Sequence, residues 1–301
     1  MLNGIINVYK EQGYTSFDVC ALMRGIAGQR KVGHTGTLDP QAEGVLPVCL
    51  GNATKLCDML TDKTKEYVAD FLLGKKTDTL DIWGTVIEER TPVVSEEALR
   101  EAILSFAGGY EQLPPMYSAK KVDGKRLYDL ARAGKEVERK PVFVEIHEIE
   151  ILKMDYPNVT IRVKCGKGTY IRSLCEDIAA KVGELACMTA LKRTAVSNFT
   201  ADKALKLSDL QVLKDEGRLA EAVIPTDFAF ADCEAFIVRK DFRKLLDNGN
   251  KLALHMIDNK VTLKDGKIVR IYNDEKVFTG LYLFVKAEGC LKPFKMFLGE
   301  Q

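Results

Sequence analysis

The segment from residue 142 to residue 183 constrains the fold more than any other part of the sequence. Apolar and polar residues alternate over residues 142–152 and again over 159–165, a period of two that is typical of half-buried β-strands. The next stretch, TYIRSLCEDIAAKVG, repeats apolar residues at helical spacing and stops at Gly183. Strands and a helix thus follow one another closely, which indicates an α+β protein.

The same two patterns recur along the first 230 residues. Residues 5–8 and 66–73 are predicted strands because they are rich in β-branched and aromatic side chains. FDVCALMRGIAG follows Ser16, a predicted N-cap, and ends at Gly28, whereas SEEALREAILSFAGG has Ser95 as its predicted N-cap. We therefore expect an extended sheet with helices packed against it.

The sequence changes character from about Pro225 onward. IPTDFAFADC is typical of a linker, and a short helix is predicted around residues 240–248. Short strands separated by the turn sequences DNGN, KDGK and NDEK complete the chain. This predicts a small, mainly β module of about seventy residues, close to the lower size limit for an independent core.

Several classes of protein are disfavoured by composition. The N-terminus lacks the features of a signal peptide and the apolar runs are short, so we expect a cytoplasmic protein without a membrane span. Eight cysteines form no C-x-x-C pair and lie far in sequence from the three histidines, which argues against disulfides and zinc. The loop GHTG lacks the spacing and ending of a P-loop. We expect neither a metal nor a cofactor.

Asp39 is the first candidate for chemistry. It lies on a glycine-punctuated loop, KVGHTGTLDPQAEGVLPVCLG, where an ionised carboxylate could act as nucleophile or base. From this segment alone, the competing interpretation is that Asp39 and Pro40 simply start a turn. Asp78 and Asp81 form a second acidic group, which lacks the spacing of a calcium loop and is better interpreted as an exposed turn.

Arg172 and two basic stretches are further candidates. An arginine at a helix start is unfavourable for the helix dipole, so either a buried acidic partner or simple exposure must explain Arg172. Residues 119–143 carry eight Lys and Arg against four acids, and residues 162–193 carry seven against three, although the net charge is +1. Such stretches can bind a polyanion or can be ordinary solvated faces.

Five ordered segments together resemble the TruB-type tRNA pseudouridine synthases: GHTGTLDPQAEGVLPVCLGNATK, KEYVADFLLGKKTDTLDIWG, LPPMYSAKKVDGKRLYDLAR, KGTYIRSL and LKRTAVSNF. The sequence departs from this family at Glu11, where a proline is usual, and at Ser197, where a glycine is usual. The resemblance implies a catalytic domain with a mixed, mainly antiparallel sheet flanked by helices. It also implies conversion of uridine 55 in the T-loop of tRNA to pseudouridine.

The resemblance also assigns roles to individual residues. It implies that Asp39 is the catalytic aspartate, that Arg172 pairs with it, and that Tyr67 stacks on the target base. Leu191 is implied as an apolar wall of the base pocket, and His34 as a residue on the RNA-contacting side. A non-catalytic tRNA-binding protein or folding chaperone of the same fold is the alternative, which retention of Asp39, Tyr67 and Arg172 disfavours.

RNA contacts and domain limits are predicted less directly. A flipped base needs contacts elsewhere on the T-arm, and the basic residues suited to phosphates are Lys120, Lys121, Lys125 and Arg126. We predict a catalytic domain over residues 1–230 and a domain resembling the PUA fold over 233–301. We expect a monomer that binds tRNA, with no obligatory protein partner and no membrane contact.

Overall fold

The computed structural model describes residues 1–118, 120–122, 124–135, 137–258 and 262–297, and for residues 121, 122, 125, 126 and 132 it describes the backbone alone. The helices are α1 Ser16–Ala27, α2 Cys57–Thr61, α3 Glu96–Leu104, α4 Leu127–Arg132, α5 Ile171–Lys181, α6 Leu207–Asp215 and α7 Arg243–Asp247. The strands are β1 Gly4–Lys10, β2 Val32–His34, β3 Glu43–Leu50, β4 Lys65–Leu73, β5 Lys75–Thr77, β6 Val86–Glu89, β7 Tyr110–Gln112, β8 Lys121–Val122, β9 Lys125–Arg126, β10 Val142–Val144, β11 Ile146–Asp155, β12 Asn158–Cys165, β13 Ala186–Val196, β14 Phe199–Thr200, β15 Ala235–Ile237, β16 Leu252–Ala253, β17 Ile268–Tyr272, β18 Phe278–Val285 and β19 Cys290–Met296.

A central sheet organises the first three quarters of the chain. Its strand order is β1-β3-β13-β4-β12-β11, with β2 added to β3 and β14 added to β13. All of these pairs are antiparallel except β13 with β3, which run parallel over a short overlap. The predicted α+β fold with a mixed, mainly antiparallel sheet is therefore confirmed.

Strand β4 shows why the sheet has a buried face. Its residues alternate in burial, with Lys65, Tyr67, Ala69, Phe71 and Leu73 inward and their neighbours partly exposed. The period of two places every second side chain on the same face of the sheet. That inward face joins a core with the apolar residues of α3 and α5, so the two helices cover the sheet next to β4.

The helix ends largely follow the sequence signals. Thr15, rather than the predicted Ser16, caps α1: its hydroxyl accepts from the Asp18 N–H, and the Asp18 carboxylate accepts from the Thr15 N–H in return. Ser16 lies one position inside, where its hydroxyl instead bonds the backbone of Leu38. Ser95 caps α3 as predicted.

Two local differences from the sequence pattern have physical causes. Residues 117–122, YSAKKV, stand before the turn residues DG and by pattern would form a strand, but of those that the structure describes only Lys121–Val122 is a strand. The carbonyl of Tyr117 instead accepts a hydrogen bond from the Arg172 side chain. Ser197, which replaces the usual glycine, has a φ of 50° and therefore retains the left-handed backbone that glycine favours.

The last part of the chain forms a separate sheet in the order β15-β17-β18-β19-β16. Its core includes Phe236, Leu252, Ile271 and Leu291. This agrees with the predicted small β module. Within the described residues, no helix is both long and apolar enough to cross a membrane.

A second apolar cluster connects this sheet to the rest of the chain. Leu281 and Phe297 belong to the same cluster as Ile5, Phe199 and Phe230. The C-terminal sheet is therefore packed against the larger part of the protein through buried apolar side chains.

Candidate active site

The loop between β2 and β3 carries Asp39 and is anchored at both sides. The Ser16 hydroxyl accepts from the Leu38 N–H at 2.8 Å, and the buried Lys10 ammonium donates to the carbonyls of Pro40 at 3.0 Å and Ala42 at 2.5 Å. Burial lowers the pKa of Lys10 to about 8. Asp39 therefore projects from a loop whose neighbouring backbone is fixed, while 41% of its own side chain stays exposed.

Arg172 lies directly against Asp39. Its Nε is 2.9 Å from Asp39 Oδ2, and the arginine side chain is buried, with 7% exposed. The two remaining nitrogens donate at 2.8 Å to the carbonyls of Thr79 and Tyr117. All three guanidinium nitrogens are thus engaged, which holds the arginine in one orientation and leaves one edge for the carboxylate.

A second carboxylate approaches Arg172 from the loop after β5. Asp81 Oδ2 is 3.7 Å from Arg172 Nη1, and the Thr79 hydroxyl donates to Asp81 Oδ1 at 2.7 Å. Burial raises the pKa of Asp81. The sequence pattern suggested an exposed turn here, which describes Asp78, whose carboxylate accepts from the Thr85 N–H. It does not describe Asp81, whose side chain is only 16% exposed.

Asp39 and Arg172 lie in the wall of a cavity of about 280 Å³, together with Tyr67 and Leu191. Tyr67 comes from β4 and Leu191 from the neighbouring β13. Both are mostly buried, at 8% exposed each. The structure thus places four of the residues singled out in the sequence around one cavity, with the carboxylate, the guanidinium, an aromatic ring and an apolar side chain all available to one ligand.

Two cations in the same cavity wall were missed by the sequence analysis. Arg193, opposite Tyr67 in the β4–β13 register, is fully buried. Lys65 is 8% exposed and donates to the carbonyls of Thr61 and Lys63. Burial lowers the pKa of Lys65 to about 8. For Lys65 the available signal was a charged residue at an inward position of the alternating strand β4, whereas Arg193 lies in β13, which the sequence pattern did not predict.

The remaining predicted residues lie elsewhere. His34 is at the end of β2, and its Nδ1 accepts from the Gly36 N–H at 3.2 Å. Burial lowers the pKa of His34, which favours the neutral ring at pH 7. His34 and the half-buried Lys120 are not among the described residues that line the cavity. The side chains of the other three predicted RNA contacts lie outside the described residues: Lys121, Lys125 and Arg126.

The arrangement suits chemistry at a carbon atom of a bound ligand. An oriented carboxylate with an exposed oxygen can attack an electrophilic carbon or accept a proton. The guanidinium orients the carboxylate through a charge-assisted contact at 2.9 Å. Among the described residues, no group of three or more His, Cys, Asp and Glu side chains is placed to hold a metal ion.

Comparisons with known proteins agree with this geometry. Residues 24–171 match the TruB family pseudouridylate synthase (N terminal domain), and residues 172–231 match the tRNA pseudouridylate synthase B C-terminal domain. A tRNA pseudouridine synthase B of Lachnoclostridium phytofermentans is 47% identical, covering 99% of this chain and 100% of that protein. One of Clostridium tetani is 45% identical, covering 93% and 95%.

Solved structures show the same fold. A chain matched in a Cbf5-Nop10-Gar1 complex has a TM-score of 0.77 and 27% identity, covering 98% of this chain and 85% of that one. A chain in an H/ACA RNP bound to a substrate RNA containing 2′-deoxyuridine matches with a TM-score of 0.77 and 25% identity, with the same coverage. The fold, the cavity and the near full-length relatives agree: the chain belongs to the TruB family of pseudouridylate synthases.

Proposed function

We propose that this protein converts uridine 55 in the T-loop of tRNA to pseudouridine. The observation that carries the proposal is the Asp39–Arg172 pair, 2.9 Å apart, in the wall of a cavity that also presents Tyr67 and Leu191. The relatives with 45% and 47% identity are named tRNA pseudouridine synthase B, which supports tRNA as the substrate.

The reaction breaks the bond between C1′ and N1, turns the base over and joins C1′ to C5. Asp39 either attacks C1′ or removes a ribose proton to give a glycal, and in both cases it must be ionised. Arg172 places a positive charge 2.9 Å from one carboxylate oxygen, which fixes the orientation of Asp39. Tyr67 stacks on the base and Leu191 closes the pocket, so that the base stays close while it turns.

The target base must leave the stack of the T-loop before it can enter the cavity. Flipping a base costs a few kcal/mol, which contacts to the rest of the RNA must offset. We assign these contacts to His34 and to basic residues that can bind phosphates: Lys120, Lys121, Lys125 and Arg126. In this proposal, residues 1–230 form the catalytic domain, and residues 233–301 form a PUA-like domain that binds the acceptor side of tRNA.

A non-catalytic tRNA-binding protein or chaperone of the same fold is the alternative. The position of Asp39 favours the enzyme, because an exposed carboxylate facing a cavity would repel an RNA phosphate. We further propose a cytoplasmic monomer that needs no cofactor, metal or obligatory protein partner. Eight free thiols suit a reducing compartment, and the isomerisation adds and removes no atoms overall.

The substrate assignment is tested by mapping pseudouridine in a tRNA transcript treated with the protein. Carbodiimide modification followed by primer extension stops at each pseudouridine. We expect a single new stop at the T-loop uridine and none in a transcript that carries cytidine there. A stop only at other uridines would refute the T-loop assignment, and no stop in a transcript that the protein binds would favour the chaperone.

A further inference from the structure

Arg193 is a buried cation at the active-site cavity that the mechanism above does not use. Its Nε–H donates to the Val45 carbonyl at 2.7 Å, and its Nη2 donates to the Gly36 carbonyl at 3.2 Å. Both acceptors are neutral. In the part of the chain that the structure describes, no carboxylate forms an ion pair with Arg193. Burying a charge without a counter-charge is costly, so this guanidinium needs an explanation.

The third contact of Arg193 is with the hydroxyl of Tyr67. The two residues are direct cross-strand neighbours that both line the cavity, and the guanidinium interacts electrostatically with the hydroxyl. A phenol has one proton to donate and can accept through its oxygen. Because a guanidinium has no acceptor, the Tyr67 O–H cannot donate to Arg193 and is left to donate to a ligand in the cavity that both residues line.

We propose that Arg193, acting through the Tyr67 hydroxyl, stabilises the negative charge that develops on uracil when its bond to C1′ breaks. The inference rests on the proposed function. It makes Arg193 a positioning residue, because its hydrogen bonds are to the backbone and it would act through Tyr67. The pair would act like an oxyanion hole, in which preorganised donors face the site where charge appears.

The electron balance is the same for either first step. If Asp39 attacks, an Oδ–C1′ bond forms as the C1′–N1 bond breaks. If Asp39 removes the C2′ proton, a C1′–C2′ double bond forms as the same bond breaks. In both cases the electron pair leaves on N1 and spreads to O2 and O4 of uracil. When C5 bonds to C1′, Asp39 is released or returns its proton to C2′. The C5 hydrogen leaves as a proton and N1 takes up a proton, so that no atoms are gained or lost overall.

An RNA phosphate is the competing counter-charge for Arg193. The burial of the residues argues against it: Arg193 is 0% exposed, whereas Lys167, also in the cavity wall, has a side chain that is 65% exposed. A phosphate that flanks the flipped nucleotide can reach Lys167 without desolvation. The base is the part of the nucleotide that enters the cavity, so the charge that meets Arg193 is that of uracil.

The test compares tRNA transcripts that carry uridine or 5-fluorouridine at the target position. Fluorine withdraws electrons and stabilises the departing uracil anion, which lowers the need for help from the protein. The variants are Arg193→Met and Tyr67→Phe, with Leu191→Ala as the control that alters the pocket wall without removing charge or hydroxyl. Single-turnover rates are measured by chromatography of nuclease digests, as loss of the N-linked nucleoside.

With uridine, we expect Arg193→Met and Tyr67→Phe to slow the reaction about 10²–10³-fold, the usual loss for one oxyanion-hole donor. The ratio of the 5-fluorouridine rate to the uridine rate should rise at least about tenfold over wild type in both variants. It should stay at the wild-type value in Leu191→Ala. If Arg193→Met does not fold, Arg193→Lys, which shortens the donor but keeps the charge, takes its place beside Tyr67→Phe.

Three results would overturn the inference. If the ratio of the 5-fluorouridine rate to the uridine rate is unchanged in both variants, Arg193 and Tyr67 have a purely structural role. A rise in Tyr67→Phe alone would mean that the hydroxyl acts without Arg193. Weaker tRNA binding with an unchanged rate at saturation would assign Arg193 to a phosphate. Failure of the wild type to convert uridine at all would instead refute the proposed function.

Discussion

Among the single residues of the site, Arg172 has the most contacts to active-site groups, and the position of Asp39 depends on them. The Nε of Arg172 forms an ion pair with Asp39, and its two other nitrogens donate hydrogen bonds to backbone carbonyls. Asp81 lies 3.7 Å from Nη1. Asp81 is less exposed than Asp39, and it adds negative charge behind the arginine. We infer that Asp81 and the Thr79 carbonyl fix the position of Arg172, and that Arg172 in turn fixes Asp39.

If Asp81 holds Arg172 in place and Arg172 holds Asp39 in place, Asp81→Ala should slow the reaction. The substitution removes the carboxylate beside Arg172 and the acceptor of the Thr79 hydroxyl, so the guanidinium can shift away from Asp39. We expect the single-turnover rate to fall about 10²-fold, as for small misplacements of reacting groups, while tRNA affinity is retained. Rapid-quench measurement of the C5 hydrogen release gives the rate, and filter binding gives the affinity.

Asp78→Ala is the matched control, since Asp78 lies on the same loop and its carboxylate bonds the Thr85 N–H instead of an active-site group. Its rate should stay within a few-fold of wild type. Equal decreases in the single-turnover rate of the two variants would mean that the rate depends on the structure of the loop and not on the Asp81 charge.

Only some of the site residues could be predicted from the sequence. Asp39, Tyr67, Arg172 and Leu191 stand in motifs, and the structure brings them together. Lys65, Asp81 and Arg193 stand in the same motifs and Lys10 stands before them, but the residue types alone give none of the four a role in the site. A charged residue in a strand or turn is normally solvated, and only the fold shows that these four are turned inward.

At the scale of elements, the parallel contact between β3 and β13 connects the Asp39 loop to Arg193. Gly44 pairs with Arg193 in this contact and has a φ of 109°. A Cβ at Gly44 would lie 2.2 Å from the Arg193 carbonyl oxygen. Only glycine therefore permits the close approach of the two strands at this point.

Gly44→Ala should accordingly be strongly destabilising. Backbone strain and overpacking together predict a loss of about 2–5 kcal/mol in the free energy of unfolding, measured by urea denaturation. Gly25→Ala is the control, because Gly25 lies inside α1 with open space around it, and there alanine should stabilise by about 0.5–1 kcal/mol. A stable Gly44→Ala would be inconsistent with the β3–β13 register.

Strand β13 is also where sequence patterns failed for the fold. Its sequence ACMTALKRTAV contains alanine, leucine, lysine and arginine, which are good helix formers, and no strand was predicted there. Pairing with β4 along nearly its whole length and with β3 at one end determines its conformation instead. Strands β11 and β12, at the other end of the sheet, lie largely within the predicted runs 142–152 and 159–165, because their alternation is set by burial on one face. Residues 142–144 of the first run instead form β10, which pairs with β7 in a separate sheet.

At the scale of the whole molecule, the C-terminal sheet and the larger part share an apolar cluster. Leu281 in β18 is fully buried in this cluster, which also contains Ile5 of β1 and Phe230. Leu252 is equally buried, but it lies in the core of the C-terminal sheet itself. Substituting Leu281 therefore tests whether the two parts stabilise each other, whereas substituting Leu252 tests the stability of the C-terminal sheet alone.

We expect Leu281→Ala to cost about 2–5 kcal/mol and to reduce hydrogen-exchange protection in β1 and β3 as well as in the C-terminal sheet. Leu252→Ala should reduce protection mainly in the C-terminal sheet. If Leu281→Ala leaves β1 and β3 unchanged, the shared cluster does not couple the two parts.

The central claim is that Asp39 begins the isomerisation of a tRNA uridine. Release of tritium from C5-labelled uridine in a tRNA transcript measures this most directly, because joining C5 to C1′ expels the C5 hydrogen. We expect the wild type to release tritium in buffer containing a chelator, and Asp39→Asn to release none while it still binds the transcript. Normal release by Asp39→Asn would mean that Asp39 does not begin the reaction.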